Sequence, residues 1–115
     1  LWINYIGMVQ HYLAEASKLL DEKTLEDPHK TTTEAEDLLY KYANEVEAAT
    51  ADNTSFSDVQ IEALHTAAAA SVKRLSKILM ELHPLLGIKA ARVEHPLNQI
   101  FRDYFTATQH HIFTR

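Results

Sequence analysis

Apolar residues recur along this chain at alternating steps of three and four, the spacing that puts them on one face of an α-helix. No segment alternates convincingly as a strand. The first helix is predicted from Trp2 to Leu20, with Trp2, Tyr5, Ile6, Val9, Leu13, Ala16 and Leu20 on one face. Leu1, Met8, Tyr12 and Leu19 add a second apolar stripe, which expects this helix to be central or covered by a partner. Gly7 costs a helix about 1 kcal/mol against alanine, and close helix–helix packing is the expected reason for it. Asp21 to Thr32 is polar and holds Asp27-Pro28, so a helix-breaking connection is expected there.

Thr33-Glu34-Ala35-Glu36 has the form of a capping box and predicts the start of a second helix running to about Ala51. Its stripe is Leu38, Leu39, Tyr42, Val46 and Ala49, with Glu34, Glu36 and Asp37 suiting the N-terminal dipole. Ser57-Asp58-Val59-Gln60 is a second capping box, opening a third helix to about His83. Ile61, Leu64, Ala68, Val72, Leu75, Leu79 and Leu82 form its seam, and Pro84 stops it. After a connector from Leu85 to Glu94, Pro96 falls in the first turn of a fourth helix, where a missing N–H costs nothing. Four helices with short connectors predict an all-α, four-helix up-and-down bundle.

Length and composition agree with that prediction. A chain of 115 residues fits one domain, residues 1–115, and 46% apolar content supports a packed core. Two glycines and three prolines leave little material for turns. The chain has no cysteine, which removes disulfides and thiolate metal sites and fits a reducing, cytoplasmic compartment. Its net charge of -5 gives a nucleic-acid partner no electrostatic help. The apolar opening from Leu1 to Ala14 is too short and too polar for a bilayer span, so no membrane partner is expected. The start at Leu1 rather than Met fits a piece of a longer chain.

Two stretches carry candidate chemistry. Glu62-Ala63-Leu64-His65 has the Glu-x-x-His spacing of di-iron bundles, but its companion, Glu26-Asp27-Pro28-His29, falls in the expected loop. No metal site is therefore expected, and His65 is expected as a hydrogen-bonded core histidine. On the fourth helix Leu97, Ile100, Phe101, Tyr104, Phe105, Thr108, His111 and Ile112 share one side. Gln99, Arg102, Asp103, Thr106 and His110 make the opposite side, which lacks Lys and Glu. Asp103 and His110 lie roughly 10 Å apart along the axis, too far for a dyad. A histidine there is a natural proton handler near neutral pH.

Leu82-His83-Pro84-Leu85-Leu86-Gly87, followed by His95-Pro96-Leu97, Arg102-Asp103 and His110, resembles the C-terminal helical domain of the acyl-CoA dehydrogenase superfamily. It is most similar to the branch of two-component flavin-dependent monooxygenases. The resemblance implies a flavin, FAD or FMN, held mainly by an N-terminal helical domain and a middle β-domain that lie outside this sequence. It implies homo-oligomers, dimers or tetramers, formed through the bundles, and a flavin reductase as a partner. His110 would be the catalytic residue near the flavin ring, and Arg102, Asp103 and Thr106 would form the cofactor-facing polar set. His111 stands where dehydrogenases often carry a catalytic glutamate, so acyl-CoA α-proton abstraction is not implied. Gly87 is the one glycine of three that matches, Pro84 stands near a flavin-contacting glutamine, and Gln99 replaces an arginine. The alternative is a stand-alone or degenerate bundle that acts only in oligomerisation or protein interaction.

Overall fold

The computed structural model describes residues 2–52, 57–86 and 95–109. Helix α1 is Trp2–Ala16, α2 is Glu22–Ala51, α3 is Asp58–Leu82 and α4 is Pro96–Gln109, with a 3₁₀ turn, His83–Leu86, after α3. Side-chain partners give the directions. Trp2 reaches Ser71 and Tyr12 reaches His83, so α1 and α3 run parallel. Trp2 meets Tyr42 and Gln10 meets Glu36, so α2 runs against α1; Tyr5 meets Ala107 while His11 shares a groove with Pro96 and Gln99, so α4 does too. This is the expected four-helix up-and-down bundle. Among the described residues no helix is long and apolar enough to cross a membrane.

Helix α1 is the centre of the core. Trp2, Tyr5, Ile6, Val9, Tyr12, Leu13 and Ala16 are all buried, drawing on both predicted stripes, and α1 packs on each of the other helices. It ends at Ala16 rather than Leu20. Lys18 N–H and Leu19 N–H bond back only three residues, to Glu15 and Ala16, tightening the exit into a turn. Leu19 and Leu20 still pack against the core from that turn. Gly7 is exposed, and a methyl group placed on it would meet no neighbour within 4 Å. Close packing is therefore not the reason for this glycine.

The largest correction concerns Asp21 to Thr32, which is helix and not a proline-broken loop. The Asp21 side chain accepts from Thr24 N–H at 2.7 Å and caps α2, which then runs through Pro28 for 30 residues. Leu25, Thr32 and Ala35 are buried on one face, and half-buried Pro28 lies on the same stripe. Thr32 Oγ1 donates to Pro28 C=O at 2.8 Å. Tertiary burial of that face outweighs the local cost of proline. Thr33 consequently lies inside the helix, not at its start. Glu36 belongs to no cap and accepts from Gln10 Nε2 at 2.7 Å.

The second capping box forms as predicted. Ser57 Oγ accepts from Gln60 N–H at 3.2 Å and Gln60 Oε1 accepts from Ser57 N–H at 2.8 Å. From Ala68 to Leu82 the α3 seam is buried, whereas Ile61 is 41% exposed. Ile61 lies on α3 before Ser71, the residue that Trp2 of α1 reaches.

Candidate functional site

Helix α4 separates its two sides as the periodicity predicts. Leu97, Ile100, Tyr104 and Thr108 are buried. Tyr104 is fixed from α3: its hydroxyl donates to Val72 C=O at 3.2 Å and lies 3.0 Å from Ser76 Oγ. Burial is the main reason that its hydroxyl is pushed up to about 12. Tyr5 ties α1 to the same helix, donating to Ala107 C=O at 3.3 Å and meeting the Tyr104 ring edge-on at 5.5 Å. At the start of α4 Leu97 N–H donates to His95 Nδ1 at 3.2 Å, so this histidine serves the helix terminus.

The outer side of α4 carries the predicted polar set. Gln99, Arg102, Asp103 and Thr106 are all exposed. Gln99 bridges the Arg-Asp pair: Arg102 Nη2 donates to its Oε1 at 2.9 Å, and its Nε2 donates to Asp103 Oδ1 at 2.9 Å. Thr106 follows one turn along. His110, and His111 beside it, lie outside the described residues. The groove between α1 and α4 has a volume of about 300 Å³ and is lined by Met8, His11, Pro96, Gln99, Ile100 and Asp103. An apolar floor with an amide, a carboxylate and an imidazole at its rim can seat a planar polar ligand edge.

A second polar contact was not anticipated. His83 Nδ1 lies 2.7 Å from the Tyr12 hydroxyl, and its ring stacks on Phe101 with centroids 3.9 Å apart and planes at 15°. Tyr12 is fully buried, and burial raises its hydroxyl far above the ordinary phenol range. Burial also holds His83 below the usual imidazole range. A neutral imidazole accepting from a protonated phenol satisfies both groups. The signal was present: Tyr12 sits on the second stripe of α1, and His83 extends the seam through Leu79 and Leu82.

His65, expected in the core, is exposed: it lies on α3 before Ser71, the residue that Trp2 of α1 reaches. The two Glu-x-x-His segments are both helical but far apart. Thr31 lies near Arg74, and Thr24 and Asp27 near Lys77 to Leu85, so Glu26 and His29 are at the opposite end of the hairpin from Glu62 and His65.

Residues 29–115 match the family model described as acyl-CoA dehydrogenase, C-terminal domain. No curated protein and no solved structure matches the chain. The matched segment opens just after Pro28 and holds the rest of α2, α3 and the polar face of α4. The chain belongs to the family of acyl-CoA dehydrogenase C-terminal domains, helical domains of a flavin-dependent oxidoreductase superfamily.

Proposed function

We propose that this chain is the C-terminal bundle of a flavin-dependent oxidoreductase, monooxygenase-like rather than dehydrogenase-like, which packs on flavin through α4 and assembles into homo-oligomers. The observation that carries this reading is the hydrogen-bonded Gln99–Arg102–Asp103 set on the exposed side of α4. The donor chemistry fits the group. Guanidinium and amide N–H groups suit the carbonyl oxygens and ring nitrogens of a flavin, and a carboxylate suits its imide N–H. The α1–α4 groove beside them supplies an apolar surface for a ring. When bound, flavin supplies the redox chemistry, and the protein supplies position and electrostatics.

Arg102 and Asp103 would hold and orient the polar edge, with Thr106 adding a hydroxyl one turn on. His110 would hold a proton at an imidazole nitrogen near that edge. His111, in place of a glutamate, favours the monooxygenase-like reading over acyl-CoA α-proton abstraction. FAD and FMN share the ring that these residues would meet.

The test is the flavin content of the intact gene product after gel filtration. Retained flavin, falling several-fold in Arg102→Ala and Asp103→Ala at unchanged helicity, is expected. His110→Ala should keep the flavin but shift the pH dependence of its absorbance spectrum. A gene product that retains no flavin when refolded or incubated with FAD or FMN overturns the reading.

A further inference from the structure

Between α2 and α3, apart from the groove at α4, lies a hollow of about 160 Å³ lined by Thr31, Glu34, Ala35, Leu38, Ser71 and Arg74. Helical spacing builds it. Thr31, Glu34, Ala35 and Leu38 fall at i, i+3, i+4 and i+7, one face of α2, and Ser71 and Arg74 fall at i and i+3 on α3. Ala35 and Ser71 are both buried and both small, so the space between the two helices stays unfilled there. Ala35 and Leu38 give the hollow an apolar side, and its four other side chains are polar.

These polar groups keep unspent hydrogen-bonding capacity. Ser71 is 1% exposed and accepts from Trp2 Nε1 at 3.1 Å. That contact occupies a lone pair of the hydroxyl oxygen and leaves the O–H to donate. Ser76, one turn on, donates to Val72 C=O at 2.8 Å, the usual outlet for a serine in a helix. Ser71 donates to no acceptor among the described residues. A buried donor without an acceptor is costly, so an acceptor in the hollow is favoured. Half-buried Thr31 and the exposed Glu34 and Arg74 likewise make no side-chain hydrogen bond or ion pair with another described residue.

The donor set selects the ligand. The Ser71 and Thr31 hydroxyls and the Arg74 guanidinium offer O–H and N–H groups to a carboxylate. The Glu34 carboxylate accepts from an ammonium. A simple anion would meet the charge of Glu34, and a simple amine that of Arg74, whereas a molecule carrying both charges suits both. One water takes roughly 30 Å³ of liquid, so the hollow holds about five groups of that size, which matches glycine or alanine. Thr31 and Arg74 also line the cleft of about 440 Å³ between the same helices, which gives the hollow an entrance. The geometry points to a binding site for a small zwitterionic α-amino acid between α2 and α3. Its carboxylate lies on Arg74, Ser71 and Thr31, its ammonium on Glu34, and its short side chain on Ala35 and Leu38. The site is independent of the flavin reading, because none of these residues belongs to α4 or its groove.

Equilibrium dialysis of the intact gene product against radiolabelled alanine tests it. Saturable binding at one site per chain is expected. Arg74→Met and Glu34→Gln should each weaken it about tenfold or more, and Thr31→Val about threefold, since bonds to charged groups are the stronger ones. Unlabelled acetate and ethylamine each carry one of the two charges and should compete about tenfold more weakly than unlabelled alanine. The three substituted side chains are exposed or half-buried, and unchanged circular dichroism shows that each variant keeps its fold. No saturable binding at millimolar alanine overturns the site. Binding that is unchanged in Arg74→Met and Glu34→Gln overturns its location, and acetate that competes as well as alanine overturns the zwitterion.

Discussion

Replacing Pro28 with alanine should stabilise the protein, and the size of the gain is set by what α2 gives up at that position. In the middle of a helix, proline removes one backbone hydrogen bond and crowds the carbonyl four residues earlier, at a cost of about 3 kcal/mol. The affected carbonyl here is that of Thr24, an exposed residue, so water recovers part of the loss. Proline also restricts the unfolded chain, and its removal returns about 0.4–1 kcal/mol of entropy to that state. The half-buried ring lines a cleft of about 440 Å³ between α2 and α3, and alanine would forgo some of that packing. A net gain of about 1–2 kcal/mol remains, which for a domain near this size raises Tm by about 4–8 °C per kcal/mol. Urea unfolding followed at the helical band should show a higher midpoint with an unchanged slope. A midpoint that stays or falls would refute the reasoning, because it would mean that α2 ends before Pro28 or needs the ring.

Two further outcomes are expected on stability. Gly7→Ala should raise it by about 0.5–1 kcal/mol, since the site is helical, exposed and has empty space where the methyl would go; a loss in thermal unfolding would show a neighbour against that face. Stability should also depend on His83. Burial holds its folded pKa below the ordinary imidazole value of 6.5, so the unfolded state binds its proton more readily. The stabilisation is complete above that value and is lost as pH falls through the window down to the lowered folded value. Asp21 acts in the same direction at lower pH, because its hydrogen bonds with Thr24 hold its carboxyl below the ordinary value of 3.8. Unfolding midpoints compared at neutral pH and about pH 5 should therefore fall in wild type, and less in His83→Gln; equal falls would assign the effect elsewhere.

What could be read from the chain divides along a physical line. Signals that are local and unopposed came through. The Ser57 capping box forms because Ser57 and Gln60 need only each other, and Pro96 opens α4 because nothing is lost there. The two sides of α4 follow from a single helical period, and the Gln99–Arg102–Asp103 set needs only neighbours on that helix. Signals that depend on a partner helix are not legible in one segment alone. Pro28 looks terminal in isolation, yet Leu25, Thr32 and Ala35 continue one buried stripe past it. Thr33 and Glu36 had the spacing of a cap, but the buried stripe decides where α2 starts. His65 fits the α3 period, but burial there depends on what packs beside that part of α3, and no α3 residue encodes that. His83 found its partner in Tyr12, across the bundle and 71 residues away.

The same division makes the functional tests separable from the fold. Among the described residues, the cross-helix contacts of α4 lie on its inner side: Tyr104 against α3, Tyr5 against Ala107, and Phe101 against His83. Arg102, Asp103 and Thr106 are exposed on the other side, and the described bonds of Arg102 and Asp103 run to Gln99 of the same helix. A helix surface pair of this kind contributes about 0.2–0.5 kcal/mol to an isolated helix, far too little for the bundle to depend on it. An arrangement that is ordered, exposed and nearly neutral for stability has its chemistry free for a ligand. Loss of flavin in the Arg102→Ala or Asp103→Ala variant, with the unfolding midpoint unchanged, would therefore report on that ligand and not on the bundle.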